Sequence, residues 1–132
     1  MTRTLQKMLL ATLLVAGSSV IAGEPVNEAM LQRVASRMNK SLPQMESDNT
    51  RLDKITVGPG LTWTYNFTLV GLDDSHGTRK VIEANAPSII SKFCSLPATK
   101  IFLENNIITH MQYTDHAGKL VSDVLLDRAK CS

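Results

Sequence analysis

Three histidines, several clustered acids and two cysteines are the residues of this chain whose types are suited to chemistry. His110 lies inside an alternating stretch, and His116 follows it beside Asp115. A hairpin could bring both imidazoles into one neighbourhood, with Asp115 as a third metal ligand. Zinc needs three or four ligands converging from a supporting shell. Nothing in this spacing makes them converge, so His116 reads as a hydrated turn residue. Asp73-Asp74-Ser75-His76 holds the residue types of a hydrolase triad. A triad, however, is assembled from separate elements, and no nucleophile elbow, S-x-x-K or H-E-x-x-H motif accompanies it. A hydrated loop is the expected reading.

Glu46, Asp48 and Asp53 gather near Arg51 and could form a paired-carboxylate acid/base site. Mixed charge at a strand edge also discourages unwanted sheet pairing, and that role is expected here. Trp63 and Tyr65 could stack on a ligand if exposed, but they share a uniformly apolar side and read as core. Gly58-Pro59-Gly60 lacks the spacing of a phosphate-cradling loop and reads as a turn. No catalytic residue, metal ligand or cofactor is therefore assigned.

The elements that must position these residues follow from periodicity. Glu24-Pro25 opens a helix whose apolar stripe is Met30, Leu31, Val34, Met38 and Leu42, and Leu42-Pro43 ends it. Residues 61 to 70 alternate strictly. Leu61, Trp63, Tyr65, Phe67 and Leu69 point one way, and Thr62, Thr64, Asn66 and Thr68 the other. Such alternation predicts a half-buried antiparallel strand, paired through Gly58-Pro59-Gly60 with a weaker strand over 51–57. A second helix carries Val81, Ile82, Ala86, Ile89, Ile90 and Phe93. Pro87 predicts a kink, or two helices meeting at Ala86-Pro87. A short helix follows Ser95-Leu96-Pro97. The last hairpin runs over 107–127, turning at Asp115-His116-Ala117-Gly118. The expected fold is α+β: an antiparallel sheet of about four strands in two hairpins, with the N-terminal and kinked central helices on one face.

The first residues set the address. Arg3 and Lys7 precede an apolar run from Met8 to Ala16, and small residues lead to Val20-Ile21-Ala22. This reads as a signal peptide over 1–22, cut between Ala22 and Gly23, with a single domain over 23–132. The apolar run falls short of the roughly 20 residues that span a bilayer, and no cysteine near the cut could take a lipid. No stable membrane anchor is expected. The chain holds 14 basic and 12 acidic residues, and losing Arg3 and Lys7 balances the remainder. A nucleic-acid partner is therefore not expected. Cys94 and Cys131 are an even pair in an exported chain and read as a disulfide.

The motifs Met38-Asn39-Lys40-Ser41-Leu42-Pro43, Thr50-Arg51-Leu52-Asp53, Tyr65-Asn66-Phe67-Thr68-Leu69-Val70 and Tyr113-Thr114-Asp115-His116-Ala117-Gly118-Lys119 span most of the region after the signal. Together they resemble a group of short exported bacterial proteins with an L-N-x-x-L-P, T-R-L-D, Y-N-x-T-L-V and late Y-x-D-x-x-G-K pattern. Met111 departs from that pattern at a position where an aromatic is expected. The resemblance implies export and the cysteine pair, and it carries no activity across. The expected function is a non-catalytic periplasmic or secreted interaction module of accessory, immunity or inhibitor type, whose partner is another envelope or secreted protein. One alternative is a small periplasmic hydrolase or metal-dependent enzyme using His76, His110 or His116. A further alternative is a pilotin-like assembly factor for an envelope secretion system.

Overall fold

The computed structural model describes residues 25–71, 76–97 and 99–132, and His76 and Gly77 by their backbone alone. The expected signal peptide, its expected cut at Ala22/Gly23 and the Asp73-Asp74-Ser75 stretch lie outside the described residues. The elements in chain order are α1 (Glu28–Asn39), β1 (Gln44–Met45), β2 (Thr50–Val57), β3 (Thr62–Leu69), α2 (His76–Ser95), α3 (Thr99–Glu104), β4 (Ile108–Thr114) and β5 (Leu120–Leu126). A short 3-10 turn over Ala129–Cys131 follows.

The α+β class holds, while the sheet differs from the expectation in two respects. It has five strands in the order β1-β2-β3-β4-β5, and its central pair, β3 with β4, is parallel. Each predicted hairpin forms as an antiparallel pair. Between them the chain crosses over through α2 and α3, and a helical crossover is what returns a chain in the same direction. Sequence alternation reports that a strand is half-buried and not which way its neighbour runs. β1 escaped prediction because two residues after Pro43 carry no period.

Helix α1 begins at Asn27, whose Oδ1 accepts the Met30 amide at 2.9 Å, later than Glu24-Pro25 suggested. The Asn27 oxygen satisfies an otherwise orphaned helix donor, and that sets the start. Met30, Leu31, Val34 and Ala35 are buried and pack α1 over β2. Helix α2 runs unbroken through Pro87, so the two-helix expectation fails. Pro87 faces solvent, where water can take the carbonyl that its missing N–H leaves unbonded. The inward residues of α2 are Ile82, Ile89 and Phe93, while Val81 is 61 % exposed. Positions 82, 86, 89 and 93 share one face at 3.6 residues per turn, and 81 falls off it.

The core lies between this helical layer and one face of the sheet. Trp63, Tyr65, Phe67 and Leu69 from β3 meet Met111 and Tyr113 from β4, all buried. Phe67 and Tyr113 stack with centroids 5.0 Å apart, and Trp63 meets Phe102 of α3 edge-on at 5.6 Å.

The outer edge of β2 is occupied. β1 pairs with Leu52 and Arg51. Farther along, the Asn39 side chain accepts the Ile55 N–H at 2.7 Å and donates to the Ile55 carbonyl at 2.8 Å. Gln32 donates to the Val57 carbonyl at 3.2 Å. Side-chain amides of α1 thus stand in for a neighbouring strand and close the edge.

Candidate functional site

The residues singled out for chemistry separate onto different surfaces. His110 points to the open sheet face, where its Nδ1 lies 3.0 Å from Asp123 Oδ1 on β5. Gln112 donates to the same carboxylate at 3.3 Å. This is a cross-strand pair of the kind that ties neighbouring strands. His116 lies beyond the end of β4 in the exposed turn. That turn is organised by Asp115, whose Oδ1 accepts the Ala117 and Lys119 amides at 2.8 and 2.9 Å. Asp115 is therefore occupied with backbone rather than aimed beside a histidine. The backbone of His76 opens α2. Among the described residues no group of three His, Cys, Asp or Glu side chains could hold a metal.

The three acids near Arg51 part in the same way. Asp53 sits at an irregularity between Leu52 and Lys54 in the β2–β3 pairing. It is held there by Arg51 Nε at 2.5 Å and by the Thr68 hydroxyl. Asp48 is exposed. Glu46 does the opposite: its side chain turns into the core with 1 % of its surface exposed. The paired-carboxylate reading fails because strand and turn geometry send these carboxyls in different directions.

Glu46 stands apart from the other acids by its burial, which the sequence does not signal. It follows β1 in a tight turn, where its N–H and that of Ser47 both donate to the Thr50 carbonyl, at 2.8 and 3.2 Å. The turn swings its carboxyl over the aromatic floor of β3 and β4. Neither carboxyl oxygen has a hydrogen-bond partner among the described residues, nor do the Tyr113 hydroxyl or Ser47 Oγ. Burial pushes the Glu46 carboxyl from its ordinary 4.5 up to about 7, because a charge in an apolar cavity loses its hydration. Burial likewise holds the phenols of Tyr65 and Tyr113 well above their usual range, and the neighbouring Glu46 charge adds to both shifts. For Tyr65 the Trp63 indole N–H opposes the rise. A buried polar group without partners is uncommon in native cores. Nothing in Gln44-Met45-Glu46-Ser47-Asp48 announces it, since the segment reads as an ordinary polar loop.

The cysteines meet at the other end of the molecule. The sulfurs of Cys94 and Cys131 lie at bonding distance, with Cα atoms 5.4 Å apart, joining the last turn of α2 to the chain just after β5. Among the described residues no helix is long and apolar enough to cross a membrane.

No protein-family profile matches the chain, and no curated protein resembles it closely enough in sequence to count as a relative. Solved structures do resemble it. A protein designated as secreted from Pseudomonas aeruginosa matches with a TM-score of 0.64 at 17 % identity, over 80 % of this chain and 92 % of that one. The pilotin EpsS of the Vibrio vulnificus type 2 secretion system matches with a TM-score of 0.62 at 18 % identity, over 80 % and 91 %. The type II secretion system pilotin AspS of Vibrio cholerae matches with a TM-score of 0.58 at 21 % identity, over 79 % and 91 %. At these identities the likeness is one of fold: the chain shares the architecture of two secretion pilotins and a protein designated as secreted.

Proposed function

We propose that this chain is exported, trimmed after Ala22, closed by the Cys94–Cys131 disulfide, and acts as a pilotin-like assembly factor for an envelope secretion system. The observation that carries the reading is the fold match to two type II secretion pilotins, which runs over 91 % of each of those chains. It favours the assembly factor over the broader accessory, immunity or inhibitor module. Its partner is an envelope protein of the secretion machine. The absence of a cysteine around residues 20–25 makes this a lipid-independent factor, working from the periplasm. Among the described residues the enzyme reading draws no support from geometry, because His110 is engaged by Asp123 and His116 sits in a separate turn.

The test is genetic and biochemical together. In a strain lacking the protein, the outer-membrane component of the secretion system should fail to assemble and secreted substrates should accumulate inside the cell. The tagged mature protein should capture that component from envelope extracts. Normal assembly and secretion in the deletion strain would overturn the reading. Mass spectrometry of the exported form should find a chain beginning at Gly23 and two hydrogens lighter than the dithiol.

A further inference from the structure

Residues 44–49 link α1 to β2 and are held to the sheet by few bonds. β1 pairs Gln44 with Leu52 and Met45 with Arg51, and the turn adds the Glu46 and Ser47 amides on the Thr50 carbonyl. At the far end the Asn49 carbonyl accepts the Val70 amide at 2.8 Å, which leaves 44–48 as the part that can lift. Gln44 and Met45 both expose their side chains, so Glu46 is the residue that this short segment buries. Beneath it, Tyr65 and Tyr113 belong to the central strands β3 and β4, each paired on both sides. The floor is rigid and its cover is thin.

The carboxyl between them has no charged counterpart. No described ion pair includes Glu46, and burial is the one cause of its perturbed titration. The titratable groups that register its charge are the two phenols, Tyr65 from β3 and Tyr113 from β4. Both phenols are neutral near neutral pH and would be anions if ionised, so neither supplies a counter-charge to a carboxylate.

We propose that residues 44–48 form a pH-sensitive flap, held closed over the Tyr65–Tyr113 floor by protonated Glu46 and released when that proton passes to solvent. An ionised carboxylate in an apolar cavity is costly unless paired. The nearest escape is to break the few main-chain bonds of 44–47 and carry the carboxylate to water. The five-stranded body need not move. Release uncovers an aromatic patch on β3 and β4 that is otherwise closed to partners. The inference stands independently of the pilotin reading, because it rests on Glu46 and its cover alone.

Amide hydrogen exchange of the full mature protein, followed by NMR at pH 6 and pH 8.5 and corrected for intrinsic rates, tests it. The Glu46 and Ser47 amides should lose protection by about ten-fold or more at the higher pH, while the β3 amides stay protected. Glu46→Gln should abolish the pH dependence. His110→Gln should leave it intact, which separates the flap from events on the open sheet face. Side-chain carbon shifts of Glu46 supply a readout that needs no variant: the carboxyl titration and the loss of amide protection should share one midpoint. Equal protection at both pH values, the same loss in Glu46→Gln, or two separate midpoints would each overturn the proposal.

Discussion

Glu46 shows what a single buried side chain imposes on the protein. Its carboxyl titrates near 4.5 in an unfolded chain and at about 7 in the folded one. A carboxyl harder to ionise when folded contributes stability below the lower value, and the contribution is lost as pH rises through the upper one. Unfolding by urea should therefore show stability falling between about pH 4.5 and pH 7 and then levelling. Glu46→Gln should flatten that slope and exceed the parent by about 2–3 kcal/mol at pH 8. Gly58 is constrained as tightly by backbone. Its φ is +94°, and an added Cβ would collide with Glu28 Oε1, whose partner oxygen accepts the Gly60 amide at 3.0 Å. Gly58→Ala should lose about 1–3 kcal/mol in the same assay. Adding Glu28→Ala should recover only part of that loss, because the contact is relieved and the left-handed φ is not.

Among elements, α1 does more than cover the core. Its Asn39 amide meets both main-chain groups of Ile55, so the helix and the edge strand are joined by directional bonds as well as by packing. Asn39→Ala should cost about 1–3 kcal/mol and leave β2 with an open edge. Light scattering at raised concentration should then detect self-association absent from the parent. Asn39→Asp should cost nearly as much, because a carboxylate accepts from the Ile55 N–H but faces the Ile55 carbonyl with no donor. The His110–Asp123 pair belongs to a different class. It links β4 to β5 on the half-exposed open face, and exposed pairs contribute little. His110→Gln should shift stability by less than about 1 kcal/mol, as read from the denaturation midpoint.

Over the whole molecule, the cysteine pair sets the largest loop. It closes 37 residues, a span that includes α3, β4 and β5. The Cys94→Ser, Cys131→Ser double variant should lose about 4 kcal/mol from chain entropy. That is a large share of the roughly 5–15 kcal/mol that holds an ordinary domain together. Thermal unfolding under non-reducing conditions would measure it, and reductant should lower the parent to the variant. The shared fold with two secretion pilotins gives this compact body its proposed role, and the flap gives it a means of changing its surface.

Local pattern along the chain was enough to read the α+β class, both hairpins, the Met30–Leu31–Val34 stripe and the burial of Trp63, Tyr65 and Phe67. These are local: each follows from a period of 2 or 3.6 residues or from a turn residue such as Gly118, with its φ of 85°, and periodicity needs no knowledge of neighbours. Packing of the layers was needed to reveal that β3 and β4 run parallel, that β1 exists, that Asn39 closes the β2 edge, and that Glu46 turns inward while Asp53 turns out. Each of these depends on contacts between residues far apart in the chain, such as Asn39 with Ile55. A polar side chain carries no local mark of the company it will keep once the layers meet.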